Sequence, residues 1–296
     1  MNYMTVGTNE ECLVLESGAF KIAVTTKVGP RVIGGYINGS DNIFVVLPPE
    51  RLEEITTDFM LYGGHRIWHA PEANPRTYAP DNDPVEVTEL DGGAVCFSSG
   101  VEELTGIEKS ITIRPLGEEK FELTHKLTNR NEWPIELAPW ALSQMAPGGT
   151  AVIPQHRDLE ANRFAVDRSV HFWPYSSMND HRLTFTREHI LLKQDAAMED
   201  PIKIGYLAVD GWIAYALNGV ALVKHIPYNP EATYPDYGCN VESYTNHQFL
   251  EIETLAPLAI MQPGQTFDHI EVWHGLSGVG AVSDDASIAS ELRSRL

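Results

Sequence analysis

The stretch Phe121-Glu122-Leu123-Thr124-His125-Lys126-Leu127-Thr128 decides the fold class, because apolar and polar residues alternate along most of it. A period of two is typical of a β-strand with one buried face. The same alternation occurs at 20–25, 85–88 and 111–114. His125 interrupts the apolar face, so we expect a buried histidine that is bonded to a backbone carbonyl.

Turn signals separate these strands along the chain, and several of them favour sharp reversals. They include Asn38-Gly39, Asp91-Gly92-Gly93, Pro147-Gly148-Gly149, Asp210-Gly211, Asn218-Gly219 and Pro263-Gly264. The 23 glycines and 19 prolines are spread evenly, which disfavours long helices. We therefore predict an all-β fold, a sandwich or barrel with few short helices.

Two short helices are expected, at Glu50–Phe59 and in the tail from Ser283, where Ile288, Leu292 and Leu296 are spaced to share one face. No repeat, linker or low-complexity segment divides the chain. We expect a single domain over residues 1–296 that includes a helical tail at about 283–296.

The composition limits the partners. Lysine and arginine number 21 against 41 acidic residues, a formal charge of -20. This charge disfavours nucleic acid and membrane surfaces. A neutral or cationic small ligand is easier to accept, and an anionic ligand would need a locally basic pocket.

The remaining composition signals concern the compartment. Cys12, Cys96 and Cys239 are odd in number and widely spaced, so we expect free, buried thiols rather than disulfides. No secretory leader and no stretch of roughly 20 apolar residues is visible, which favours a cytoplasmic protein. The sequence does not indicate the oligomeric state.

Five motifs occur in a suggestive order: Val28-Gly29-Pro30-Arg31, Gly63-Gly64-His65, Thr128-Asn129, Glu253-Thr254 and His269-Ile270-Glu271-Val272-Trp273. In this order they resemble the galactose-mutarotase-like (aldose 1-epimerase-like) superfamily, in one of its bacterial branches. The likeness runs from about residue 20 to residue 276.

The resemblance implies a supersandwich of two large antiparallel sheets with a sugar cleft. It also implies Arg31 near the cleft, a histidine on the Gly-Gly loop and Glu253 as the base. True aldose epimerases carry a second histidine on the strand after the Thr-Asn turn. Residues 138–145 contain none here, which leaves the general acid open.

The segment Tyr62–Glu72 is the most polar candidate for a site. In an extended chain His65 and His69 share one face, and Arg66 and Trp68 point the other way. Imidazoles transfer protons near neutral pH, a guanidinium forks hydrogen bonds to oxygen-rich ligands, and an indole offers a sugar an apolar surface. These residues could equally pack over a sheet.

A metal site at His65, His69 and Glu72 is the less favoured interpretation of the same segment. The spacing mimics His-x-x-x-His, but Arg66 occupies the position of the usual glutamate and would repel a cation. We therefore expect neither a metal nor a cofactor.

Glu251 and Glu253 leave the same face of a predicted strand, roughly 7 Å apart. Two neighbouring carboxyl groups tend to raise one pKa, which suits acid-base chemistry. A solvated outer face is the alternative. His225, Tyr234 and Asp236 belong to a loop-rich region whose side chains suit hydroxyl groups, at a cleft rim or simply on the surface.

These observations favour a carbohydrate-active isomerase, an aldose mutarotase or epimerase that interconverts sugar anomers. Glu253 would be the base and His65 or His69 the acid. The expected substrate-binding residues are Arg31, Arg66, Trp68, Glu72, His225, Tyr234, Asp236 and Glu251. A non-catalytic sugar-binding or sensor protein is the second hypothesis, and a lyase or hydrolase with two carboxylates is the third.

Overall fold

Two large antiparallel sheets face each other in this chain. The computed structural model describes residues 2–52, 54–158 and 164–296. About 51% of the chain is strand and 7% is helix, as expected for the predicted all-β sandwich of the galactose-mutarotase type. Every strand pair in the described residues is antiparallel, and several pairs contain a register shift, for example between Ala23 and Val24 in the pairing of Phe20–Val24 with Arg31–Ile37.

The first sheet has twelve strands within the described residues, and we call it sheet A. Its path is β1-β2-β3-β4-β6-β11-β20-β19-β16-β13, with β5 paired to β6 and β21 paired to β11. The strands are β1 Asn2–Val6, β2 Asn9–Ser17, β3 Phe20–Val24, β4 Arg31–Ile37, β5 Val46–Arg51, β6 Met60–Ala70, β11 Ile135–Met145, β13 Val170–Phe172, β16 Ile202–Tyr206, β19 Val241–Thr245, β20 Leu250–Leu255 and β21 Ala259–Met261.

The second sheet, sheet B, has ten strands in the order β14-β15-β12-β17-β18-β22-β10-β9-β8-β7. The strands are β7 Glu86–Glu89, β8 Val95–Val101, β9 Ile107–Gly117, β10 Lys120–Asn129, β12 Thr150–Pro154, β14 Leu183–Phe185, β15 His189–Lys193, β17 Trp212–Leu217, β18 Val220–His225 and β22 Thr266–Ser277.

The main core lies between the two sheets. The alternating residues Phe121, Leu123 and Leu127 of β10 are fully buried there, as the sequence predicts. They meet residues of sheet A such as Ile67 and Ile252. Each strand of sheet A therefore has an inner face toward sheet B and an outer face.

The two glycines of β6 allow neighbouring strands to approach closely. Gly63 and Gly64 have positive φ values of 87° and 72°. A Cβ atom on Gly63 would lie 2.2 Å from the carbonyl oxygen of Val45, and one on Gly64 would lie 2.3 Å from that of Val32. Only glycine fits such positions without strain. The Gly-Gly-His segment is thus part of a strand rather than a loop.

The prediction of a helix at Glu50–Phe59 is wrong. Glu50 pairs with Leu61 and Arg51 with Met60, so this part of the segment belongs to β5. The described residues after it form turns that bring Ile55 and Phe59 against the outer face of sheet A. Cross-strand pairing outweighs the local helical tendency here.

The helices are short. A single turn, α1, covers Pro235–Gly238, and α2 covers Asp285–Glu291. Asp284 caps α2 through the backbone amide of Ser287. Three 3-10 turns complete the described elements, at Arg76–Tyr78, Asp91–Gly93 and Arg293–Arg295.

The tail packs on the outer face of sheet B. Ile288 and Leu292 are buried against that sheet, whereas Leu296 is 41% exposed, so only two of the three expected residues share the apolar contact. No helix in the described part of the chain is long and apolar enough to cross a membrane. Cys12, Cys96 and Cys239 are free thiols, two of them buried.

Candidate functional site

Five neighbouring strands of sheet A, β6-β11-β20-β19-β16, direct polar and aromatic side chains to the outer face. Because side chains alternate along a strand, Arg66 and Trp68 leave β6 on this face. The register places Gln144 of β11 opposite Glu251 of β20, and Tyr244 of β19 on the other side of Glu251. Residues distant in sequence therefore meet at the centre of the sheet.

A cleft of about 500 Å³ lies over these strands. This volume is within the range of small-molecule sites. Its charged and amide groups are Glu54, Arg66, Glu72, Gln144, Lys203, Asn246, Gln248 and Glu251. Aromatic rings form much of the wall, namely Trp68, Tyr78, Trp140, Trp173, Tyr175, Tyr244 and Phe249. Such a mixture suits a ligand that has both apolar ring faces and hydroxyl groups.

Lys203 is buried at the floor of the cleft between two carboxylates. Its Nζ lies 2.8 Å from Glu242 Oε2 and 3.0 Å from Glu253 Oε2. It also lies over the rings of Trp140 and Trp173, at 4.6 and 4.7 Å from the ring centres. Burial alone would lower the pKa of Lys203, but the two carboxylates outweigh it and hold that pKa well above its usual range. Lys203 is thus a fixed positive charge.

Glu253 lies beneath the cleft surface and is fully buried. Its Oε2 accepts hydrogen bonds from Lys203 Nζ and from Trp140 Nε1 at 2.8 Å, and both donors line the cleft. The carboxyl group expected as the base is therefore covered by its own partners. Its neighbour Thr254 points to the inner face, so the Glu253-Thr254 pair is split between the two sides of the sheet.

Glu251 is partly buried and does line the cleft. Gln144 Nε2 donates to its Oε1 at 2.9 Å. Burial, and next the nearby charge of Glu253, raise the pKa of Glu251 to about 8. A carboxyl group with this pKa is largely protonated at neutral pH and can act as a general acid.

Arg66 is 1% exposed, and two of its nitrogens, Nε and Nη1, make no hydrogen bond to any residue that the structure describes. Its guanidinium lies over the rings of Trp68 and Phe59, at 4.3 and 4.9 Å from the ring centres. Burial, and next the charge of Arg31, lower the pKa of Arg66 to about 9. Arg66 thus remains a cation at neutral pH.

The structure places His65 and His69 on the inner face of β6, away from the cleft. This corrects their expected role as acids beside Glu253, since the alternation that sends Arg66 outward sends both histidines inward. His69 Nε2 lies 3.4 Å from Glu102 Oε2, and Arg76 Nη1 lies 2.9 Å from His69 Nδ1. Both histidines are fully buried.

His65 belongs to a hydrogen-bonded chain between the sheets. His125 Nδ1 lies 3.0 Å from the carbonyl oxygen of His269, which fixes the proton on Nδ1 of a neutral ring and confirms the expected carbonyl-bonded histidine. His125 Nε2 then accepts from His65 Nε2 at 2.7 Å, and His65 Nδ1 accepts from Ser143 Oγ at 2.9 Å. Burial lowers the pKa of His65 and of His125, in keeping with neutral rings.

Glu271 anchors the other half of this inner cluster. It accepts from Lys224 Nζ at 3.0 Å, from Trp273 Nε1 at 2.6 Å and from Thr254 Oγ1. His269, Glu271 and Trp273 of the last strand therefore face the interior and not a cleft wall. Their hydrogen bonds connect the two sheets.

His65, His69 and Glu72 are too far apart to bind one metal ion together. Four residues along a strand separate the two histidines by roughly 13 Å, and Glu72 lies in the cleft on the other side of the sheet. A different trio, His65, His125 and Glu271, has ligand atoms within 4.8 Å of one another. Its two Nε2 atoms are already hydrogen-bonded to each other, and Lys224 adds a positive charge beside Glu271.

The other expected binding residues are scattered. Arg31 is buried, pairs with Asp81 at 2.7 Å and does not line the cleft. His225 ends β18 in sheet B. Tyr234 stacks on Tyr228, and Asp236 adopts a positive φ of 50° in the α1 turn. Arg66, Trp68, Glu72 and Glu251 are the predicted residues that the structure brings together.

Several residues at the cleft were not predicted from the sequence. Lys203 had a visible signal, because it is a lone charge in the apolar strand Ile202–Tyr206. Trp140 stands on the strand where the resemblance implies a histidine, and it donates to Glu253 instead. Glu242, Gln144 and Tyr244 carried no local signal, since strand pairing alone brings them to the site.

The chain is similar in structure to several solved proteins. The chain is similar to the Slr1438 protein from Synechocystis sp. PCC 6803, at 10% identity and a TM-score of 0.58, over 94% of this chain and 100% of that one. It is similar to a galactose mutarotase-like protein from Lactobacillus casei ATCC 334, at 10% identity and a TM-score of 0.56, over 90% and 100%. A galactose mutarotase-like protein from Clostridium acetobutylicum matches at 11% identity and a TM-score of 0.53, over 90% and 95%.

These likenesses define the fold. The chain has the galactose-mutarotase-like fold, as the sequence resemblance implies. No family model matches the sequence, and no curated protein matches it either.

Proposed function

We propose that the cleft on the outer face of sheet A binds a sugar and that the chain catalyses its anomeric interconversion, as an aldose mutarotase or epimerase. The observation that carries the proposal is Glu251, a cleft-lining carboxyl group whose pKa is raised to about 8. The aromatic wall supports a sugar as the ligand, because pyranose rings present apolar C–H faces between their hydroxyl groups.

Glu251 is the general acid in this proposal. Gln144 donates to Oε1, which makes Oε1 the carbonyl oxygen of the protonated group and leaves the proton on Oε2. Oε2–H gives its proton to the ring oxygen as the bond between C1 and that oxygen breaks. The open-chain aldehyde rotates about its C1–C2 bond and closes again, and the proton returns to Glu251.

Glu72 is the second carboxyl group assigned to the reaction. It lines the cleft and accepts a hydrogen bond from Tyr78 Oη. It takes the proton of the anomeric hydroxyl during ring opening and returns it on closure. Lys203 lies at the floor as a fixed charge for a hydroxyl or alkoxide oxygen. Glu253 holds Lys203 and Trp140 in position from below.

The test is the rate of anomerisation of freshly dissolved sugars, followed by polarimetry or by NMR. The panel contains neutral aldoses and their uronic acids. The wild type should accelerate at least one of them, and Glu251→Gln should lower that rate by roughly 10²- to 10⁴-fold. Glu132→Gln, the same change at an exposed position, is the matched control and should keep the wild-type rate. No acceleration of any sugar by the wild type would contradict the enzymatic assignment.

A non-catalytic sugar-binding protein is the second candidate. It is favoured by the burial of Glu253 and by the lack of a histidine among the described residues that line the cleft. Calorimetric binding of a sugar without any acceleration of its anomerisation would select this alternative.

A further inference from the structure

The unpaired cation at the cleft distinguishes Arg66 from the other buried basic groups of this face. Lys203 has two carboxylate partners and Arg31 has Asp81, whereas Arg66 Nε and Nη1 have no hydrogen-bond partner among the described residues. A buried charge without a partner is costly in a folded chain. Ring contacts with Phe59 and Trp68 offset only part of this cost.

The position of Arg66 indicates which kind of ligand could accept hydrogen bonds from its guanidinium. Its side chain lines the cleft, so a bound ligand can approach the guanidinium from the cleft side. Trp68 and Phe59 stack against the guanidinium and restrict its orientation. A stacked, planar guanidinium is suited to oxyanion recognition, because it directs several N–H donors in one plane.

The charges around the cleft select the kind of anion. Lys203 is already matched by Glu242 and Glu253, which leaves Arg66 as the cleft cation to which no described residue bonds an opposite charge. Glu54 and Glu72 line the same cleft, and their carboxylates would oppose a doubly charged group. One positive charge in a cleft that also contains carboxylates fits a ligand with a single negative charge better than one with two.

We propose that the sugar bound in this cleft is an acidic one, a uronic acid, and that Arg66 binds its carboxylate. The proposal rests on the proposed sugar site and adds the substrate class. The protein as a whole carries a formal charge of -20, so a locally unmatched cation is required before an anionic ligand can enter. Arg66 meets this requirement.

The test compares pairs of sugars that differ only at C6. Isothermal titration calorimetry measures the affinity of the full chain for D-glucuronate against D-glucose and for D-galacturonate against D-galactose. D-glucose 6-phosphate is the third arm. We expect at least one uronate to bind roughly 10- to 100-fold more tightly than its neutral partner. We also expect that preference to weaken with added salt.

Arg66→Gln should abolish the preference for the uronate over its neutral partner. Arg66→Lys keeps the charge without the planar fork, and it should retain part of the preference. Thermal unfolding of both variants confirms that they are folded. The wild-type comparison needs no variant, so an unfolded variant leaves the test intact.

The outcomes separate this inference from the proposed function. Neutral hexoses that bind as tightly as uronates would overturn the inference and leave the sugar site standing. Tighter binding of the 6-phosphate than of the uronate would overturn the carboxylate assignment, and so would an unchanged preference in Arg66→Gln. If no sugar of either charge binds, the proposed function fails and the inference fails with it.

Discussion

Lys203 Nζ donates to Glu253 Oε2 at 3.0 Å across two strands of the same sheet, and both groups are buried. Glu242 lies on the strand between them and completes the set. The lysine is held from one side by carboxylates and from the other by the faces of Trp140 and Trp173. The floor of the cleft is thus a charged network whose parts depend on one another.

Removal of the lysine should destabilise the fold. Lys203→Met leaves Glu242 and Glu253 buried without their cation, and we expect a loss of about 3–5 kcal/mol in the free energy of unfolding. Urea denaturation at neutral pH measures it. Lys126→Met, which removes a half-exposed partner 3.9 Å from Asp268, should cost less than about 1 kcal/mol. Equal losses in the two variants would show that the buried network contributes little.

The rate of anomerisation should depend on the protonation of Glu251. A general acid is active while it is protonated, so the rate should stay level below a pH of about 8 and fall above it. The hydrogen bond from Gln144 lowers the pKa of Glu251, so Gln144→Leu should move this fall to higher pH. A pH-rate profile that is the same in both proteins would contradict the effect of Gln144 on the pKa of Glu251.

Glu251 should also make stability depend on pH. Its pKa is near 4.5 when unfolded and about 8 when folded, so the folded state binds more protons between these values. Stability therefore falls as the pH rises through this window. Glu251→Gln removes the effect and should gain on the order of 2–4 kcal/mol relative to wild type between pH 4.5 and 8. Denaturation curves at a series of pH values measure the difference, and a constant difference would contradict the assignment.

The inner histidines should control stability in acid. Burial lowers the pKa of His269 to about 3, from an ordinary value of 6.5. The unfolded state then binds more protons between pH 6.5 and 3, so stability falls as the pH drops through this range. His269→Gln should make this fall shallower, whereas His156→Gln, at a half-exposed histidine, should leave it unchanged. Acid titration followed by circular dichroism measures both variants.

Sugar binding should alter tryptophan fluorescence. Three indoles, Trp68, Trp140 and Trp173, line the cleft, whereas Trp133 is 61% exposed elsewhere. A ligand that displaces water from the cleft should shift the emission, and Trp173→Phe should reduce the shift. Trp133→Phe should not change it. A shift that depends on Trp133 would place the ligand outside the cleft.

The sequence by itself determined the strands and the faces of their residues. Alternation along Phe121–Thr128 predicted a half-buried strand, and the order of weak motifs indicated the two-sheet fold. The same local rule correctly sent Arg66 and Trp68 to the opposite side from His65 and His69. It also placed Glu251 and Glu253 on one face. These features depend on neighbours in the chain, where the period of two is sufficient.

The tertiary structure alone decided which side of the sheet carries the cleft and which residues meet there. Lys203, Glu242 and Trp140 come from three strands that are far apart in sequence, and only the strand order β11-β20-β19-β16 brings them to Glu253. Cross-strand pairing likewise overrode the helix expected at Glu50–Phe59. Strand order and register arise from long-range pairing and burial, which no local pattern encodes. For this reason the sequence named four of the cleft residues, Arg66, Trp68, Glu72 and Glu251, and the fold supplied the others.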